Sequence, residues 1–154
     1  MREVDTAVSR KVDLDELLET SDVISLHIPL TPETRHTINA DAIDKMRPGT
    51  LLINTARGGL IDEHALIEAL RTGHLGGAGL DVLDAENTDM KDPLPHNQLP
   101  LDEVDTLIVT PHVAGQTNES LRNVGAAALT CIRQALAGHT PNHALNTIPE
   151  PSVA

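Results

Sequence analysis

The spacing of apolar positions changes several times along the chain, and each change marks an expected element. Leu14, Leu17 and Leu18 recur at helical spacing, which predicts a short helix packed against the apolar run Val23-Ile24-Ser25-Leu26, a first strand. Pro29 and Pro32 end any regular element there. Asn39 is placed to cap a short helix through Met46, stopped by Pro48-Gly49, and Thr50 to Asn54 reads as a continuous apolar strand buried on both faces. Asp62 is an N-cap candidate for a helix with the apolar face Ala65, Leu66, Ala69 and Leu70, closed by Gly73.

Ala78 to Val82 is the third expected strand and Leu107-Ile108-Val109 the fourth. Between Leu83 and Val104 the pattern dissolves into Asp, Asn, Pro and Glu, a stretch long enough for a functional loop. Thr117 or Asn118 would cap a long helix through about Ala137, with Gly138 beyond its end. Strands alternating with helices predict an α/β fold: a mostly parallel sheet of about four strands with flanking helices over residues 1–139, then an irregular tail, 140–154.

Composition narrows the class. With 154 residues, 40% of them hydrophobic and 22% charged, one globular domain is the default. The absence of Phe, Tyr and Trp leaves the core to Leu, Ile, Val, Ala and Met. A formal charge of -12 disfavours nucleic acid, which is held through clustered Lys and Arg. No apolar run is long enough to span a bilayer and the first residues lack the apolar stretch of a signal peptide, so a cytoplasmic protein is expected. The single Cys131, among Ala and Leu, reads as a small buried hydrophobe. Of the eight histidines, His139 and His143 have helical spacing, but Pro141 between them and the lack of a completing Cys or carboxylate set argue against a metal site.

In parallel sheets ligands gather at the carboxyl ends of the strands. Pro29, Thr55-Ala56-Arg57, Asp81 and Pro111-His112 all follow an expected strand. Arg57, ahead of Gly58-Gly59, is suited either to clamp a carboxylate or to pair with the acidic surface. Glu86 and His112 have the chemistry of a general acid and base with its supporting carboxylate, but only the expected sheet would bring them together. A solvated Glu and a structural His are the alternative.

Six motifs in order change these odds. Leu14-Asp15-Glu16-Leu17-Leu18, Ser21 to Thr34, Met46-Arg47-Pro48-Gly49, Asn54 to Gly59, Gly79-Leu80-Asp81-Val82 and Thr110 to Gly115 resemble the D-isomer-specific 2-hydroxyacid dehydrogenases, from about Asp13 to about Gly138. The resemblance implies a partial Rossmann-like fold, the C-terminal part of that family's NAD-binding domain. It implies an oxidoreductase moving hydride between NAD and the CH–OH group of a 2-hydroxy acid, with NADP open beside NAD. Arg57 would bind the substrate carboxylate, His112 would exchange the hydroxyl proton and Glu86 would orient His112. Asp81 would accept from the nicotinamide carboxamide, with Ile28, Thr55, Ala56, Arg57, His112 and Gly115 completing the cofactor cradle.

The chain also departs from the family. Asn87 stands where a proline usually follows the catalytic Glu, Leu83 where an aromatic is common, and the segment Asn87 to Asp105 is longer than in many members. Neither a Gly-rich turn after a first strand nor the ribose-binding acid that follows it is found, and Gly73 to Gly79 lies between helix and strand, the wrong order for that turn. It reads as helix termination and tight packing. The expectation is therefore a truncated chain without the pyrophosphate loop and substrate domain, exposing a sheet edge that self-association or a partner chain would cover. A non-catalytic assembly module and an inactive truncated product are the alternatives to an enzyme.

Overall fold

The computed structural model describes residues 9–87, 100 and 103–145, which fall into two compact units, Met1–His112 and Val113–Ala154. In the first unit, α1 (Leu14–Thr20) begins where the Asp13 side chain accepts the Glu16 N–H, and β1 (Val23–Leu26) follows. Asn39 caps α2 (Ala40–Asp44) by accepting the Ala42 N–H at 2.9 Å. Asp62 caps α3 (Glu63–Arg71) on the His64 and Ala65 amides, and Gly73, with φ +72°, closes that helix in the left-handed region that a Cβ disfavours. Between them lies β2 (Leu51–Asn54), and after them β3 (Gly77–Leu80) and β4 (Leu107–Val109).

All four strands run parallel, in the spatial order β1-β2-β3-β4. The register aligns Leu26, Asn54, Leu80 and Val109 in one row at the carboxyl edge. Thr55, Asp81 and Thr110 therefore emerge together in the next row, with ladder bonds continuing from Asp81 N–H to Asn54 O and from Thr110 N–H to Leu80 O, each 2.9 Å.

Ile24, Leu26, Leu52, Ala78 and Leu80 project into one core with Leu18, Ile43, Leu66, Ile67 and Leu70 from the helices and Met46 just after α2. Burying each Leu or Ile contributes roughly 1.5–3 kcal/mol, so this aliphatic cluster holds the layer without aromatic rings. The opposite strand positions behave differently: Val23, Leu51 and Ile108 are 57%, 42% and 68% exposed. β2 is thus buried on alternate residues, not on both faces as its apolar run predicts, because the helices of this unit all pack through the same core. Ile67 is buried in addition to the expected α3 face, and Ala65 only partly so.

The glycines between α3 and β3 pack tightly. A Cβ on Gly76 would stand 2.5 Å from the Gly49 carbonyl oxygen, and one on Gly77 3.1 Å from that of Thr106. β3 begins one residue before its expected start and ends at Leu80. Of the long segment after Leu83, a 3-10 turn spans Asp84–Asn87, and residues 88–99, 101 and 102 lie outside the described set.

In the second unit, Thr117 caps the long helix α4 (Asn118–Leu136) by accepting the Ser120 N–H, and Gly138 at φ +76° follows its end. Cys131 on α4 is half-buried rather than the buried hydrophobe its neighbours predict. Among the described residues no helix is long and apolar enough to cross a membrane.

Candidate active site

Asn54 builds the turn after β2. It is fully buried, its side-chain amide donates to the Arg57 carbonyl at 2.8 Å, and its side-chain oxygen accepts the Ala56 N–H at 3.0 Å. Both ends of one amide thereby close a loop around Thr55-Ala56-Arg57, and a carboxylate of the same shape would lack the donor. Arg57 and Thr55 are exposed, Ala56 packs partly on the core, and the Arg57 Nη1 donates to the Ala56 carbonyl at 2.6 Å. Ile28, two residues past β1, is 41% exposed at the same edge.

Asp81 follows β3 and is only 4% exposed, with one carboxylate oxygen accepting the Thr110 hydroxyl from the neighbouring strand end. After β4, His112 holds a left-handed backbone, φ +53°, which costs a residue with a Cβ of order 1–2 kcal/mol. His and Asn are among the few side chains that occupy this region with any frequency. The bend turns the ring toward Glu86, whose Oε2 lies 2.8 Å from His112 Nδ1. Glu86 is well covered, its side chain 11% exposed against 39% for His112, and its other oxygen accepts the Leu83 N–H at 3.1 Å.

Of the seven residues expected to form the cradle, the sheet edge gathers Ile28, Thr55, Ala56, Arg57, Asp81 and His112, with Glu86 on the 3-10 turn beside them. Gly115 belongs to the second unit, in a turn closed by the Gln116 N–H on the Val113 carbonyl.

An acidic and basic surround appears that the sequence pattern does not signal. Glu63, the first residue of α3, accepts the Asp84 N–H at 2.7 Å. Asp84 accepts both terminal nitrogens of Arg35, at 3.1 and 2.7 Å. These partners are 21 and 49 residues apart, beyond any local spacing rule.

Burial pushes the Glu63 carboxyl pKa up, opposed by the Asp84 amide and His64 and reinforced by the charges of Asp84 and Glu86. A carboxyl whose pKa is higher folded than unfolded binds its proton more tightly in the folded state. Its ionisation therefore weakens the fold as pH rises from the ordinary carboxylate range through the raised value. Glu63→Gln keeps the acceptor without the charge and is expected to unfold at higher denaturant than the native chain at neutral pH. The gap should close as pH falls below the ordinary carboxylate range. A constant gap across pH in equilibrium urea unfolding would remove Glu63 as its source.

The nicotinamide end of a dinucleotide fits these residues: a buried, outward-edge carboxylate on Asp81 supplies an acceptor for a carboxamide, beside an imidazole held by a carboxylate. Among the described residues the pyrophosphate end finds no counterpart, since β1 is followed by Pro29-Leu30-Thr31-Pro32 and not by a glycine turn entering a helix.

The sequence profile described as "D-isomer specific 2-hydroxyacid dehydrogenase, NAD binding domain" matches residues 1–114. The chain is 47% identical over 129 residues to the (S)-sulfolactate dehydrogenase of Chromohalobacter salexigens, covering 84% of this chain and 40% of that protein. It is 44% identical over 131 residues to the glycerate dehydrogenase of Methylorubrum extorquens, covering 85% and 40%. Among solved structures it resembles the D-lactate dehydrogenase with NAD+ from Lactobacillus jensenii, with a TM-score of 0.79 at 34% identity over 88% of this chain and 43% of that one. The chain thus spans about two fifths of the length of the curated relatives it matches.

Proposed function

Because this chain belongs to the D-isomer-specific 2-hydroxyacid dehydrogenase family, we propose that it carries the nicotinamide-facing half of an oxidoreductase acting between NAD and the CH–OH group of a 2-hydroxy acid. The observation that carries this reading is the 2.8 Å contact between His112 Nδ1 and Glu86, at the strand edge that also bears Arg57 and Asp81. When bound, the cofactor would supply the hydride acceptor for carbon 2 of the hydroxy acid, or the hydride donor for the keto acid.

This chain's residues do the rest. Arg57 binds the substrate carboxylate through its planar fork and orients the 2-oxygen. Glu86 accepts Nδ1–H of His112, which presents Nε2 to the substrate hydroxyl as a base. As the hydroxyl proton passes to Nε2, the ring becomes imidazolium and the adjacent carboxylate stabilises that charge. In the keto-acid direction the same proton returns to the oxygen. Asp81 would accept from the carboxamide, with Ile28, Thr55 and Ala56 completing the cradle on this unit.

The outer side of β1 or β4 is the sheet edge that self-association or another chain would cover, beside the exposed apolar face of Val23, Leu51 and Ile108. The acidic, single-cysteine composition supports a cytoplasmic setting. NADP stands beside NAD, since the family resemblance assigns none of these residues to the ribose.

Calorimetric titration of the purified chain with NADH, with its oligomeric state measured in the same buffer, tests the reading. Saturable binding tighter than about millimolar, about 4 kcal/mol, is expected, with weaker binding in Asp81→Ala. A folded sample that gives no heat would leave an assembly module or an inactive product.

A further inference from the structure

We propose that Glu63 and Arg35 are positioning residues that set where Glu86 holds His112. The inference rests on the reading of Glu86 and His112 as the proton-handling pair. Glu86 sits on a four-residue 3-10 turn, Asp84–Asn87, too short to hold its own place. On the side after Glu86, this chain has Asn87 where a proline would stiffen the backbone. The restraint is instead found on the side before it.

Two contacts converge on Asp84. The Asp84 N–H is capped by Glu63 Oε1 at 2.7 Å, which ties the turn to the first residue of α3. The Asp84 carboxylate is forked by Arg35, which ties it to the loop after β1. Arg35 lies directly over Gly59, where a Cβ would meet its Nη1 at 2.7 Å and Asp84 Oδ1 at 2.8 Å. That loop is itself joined to the stretch after Arg57 by His36 N–H to Gly59 O and Ile38 N–H to Leu60 O, at 2.9 and 3.0 Å. The turns following β1, β2 and β3 are therefore locked to one another at the residue two before Glu86.

A bidentate guanidinium fork and a carboxylate cap define orientation as well as distance, which a hydrophobic contact would not. If the clamp loosens, Glu86 Oε2 drifts from Nδ1, and the imidazole loses the hydrogen bond that selects its tautomer. The role of Glu63 needs an acceptor oxygen and not a negative charge, so Gln should serve and Ala should not.

The test is ¹⁵N NMR of the His112 imidazole in the whole chain, with the resonance identified by its loss in His112→Asn and folding checked by thermal melts. The native chain should show Nδ1 protonated and Nε2 bare. Glu63→Ala should lose this signature and give tautomer-averaged shifts, and Glu63→Gln should restore it. Arg35→Met should lose it as Glu63→Ala does, and it decides the matter should Glu63→Ala fail to fold. A native signature in folded Glu63→Ala or in Arg35→Met overturns the proposal, as does failure of Glu63→Gln to restore it. No turnover is needed, so a chain that behaves as expected here but does not bind NADH counts against the dehydrogenase reading alone.

Discussion

On the dehydrogenase reading proposed above, His112→Asn is expected to slow NADH oxidation with a 2-keto acid by about 10²–10⁴-fold while leaving the chain folded. Asn is the informative replacement because the backbone at this position is left-handed, φ +53°, and Asn tolerates that region better than Ala or Gln. The substitution keeps a side chain able to hydrogen-bond Glu86 and removes the group that takes up a proton. Glu86→Gln should fall in the same range. It can still meet Nδ1 at the 2.8 Å separation but brings no charge to stabilise the imidazolium. Steady-state rates at saturating cofactor and keto acid read both. An undiminished rate in folded His112→Asn would assign proton transfer to another group, and an undiminished rate in Glu86→Gln would reduce the pair to packing.

The second large effect concerns a position with no chemistry of its own. Gly58→Ala would place a Cβ 2.0 Å from the Leu83 carbonyl carbon, 2.2 Å from the Asp84 nitrogen and 2.4 Å from the Leu83 oxygen. Every obstructing atom is backbone, so no rotamer change relieves the clash. The turn after β2 must separate from the turn that carries Glu86, and overpacking of this kind costs about 3 kcal/mol or more. At about 4–8 °C per kcal/mol for a unit of this size, the melting temperature should drop by more than about 10 °C. Gly73→Ala is the control: nothing lies within 4 Å of its Cβ, and only its φ of +72° opposes the side chain, costing about 1 kcal/mol. Equal losses in the two variants would mean that the Gly58 approach does not constrain the fold. A large loss confined to Gly58→Ala, accompanied by loss of the His112 tautomer signature, would show that stability and site geometry depend on the same contact.

Much of this molecule is written in short-range pattern. Asn39, Asp62 and Thr117 each cap the helix expected of them, because a cap needs only a side-chain oxygen two or three residues from an amide. β1 and β4 occupy the expected runs, and the candidate residues follow their strands, because apolar spacing and turn residues are local signals. Arg57, Asp81 and His112 could thus be placed at one sheet edge from sequence, and the motif order supplied their expected roles.

What local pattern does not carry is which distant segments touch. The run Thr50 to Asn54 looks buried on both faces because its residues are apolar, yet burial of Leu51 is decided by what packs above it. Gly58 and Gly59 read as freedom to turn, whereas their use is to let the Leu83–Asp84 backbone and the Arg35–Asp84 pair come close. Glu63, Arg35 and Asp84 look like ordinary surface charges, because a charge pattern states sign and not partner. The sequence by itself determined the elements, their caps and the residues at the strand ends. Only the tertiary structure, through parallel register and the packing of three strand-end turns, decided that Glu86 meets His112, since bringing groups 26 residues apart within 2.8 Å depends on the whole sheet being assembled.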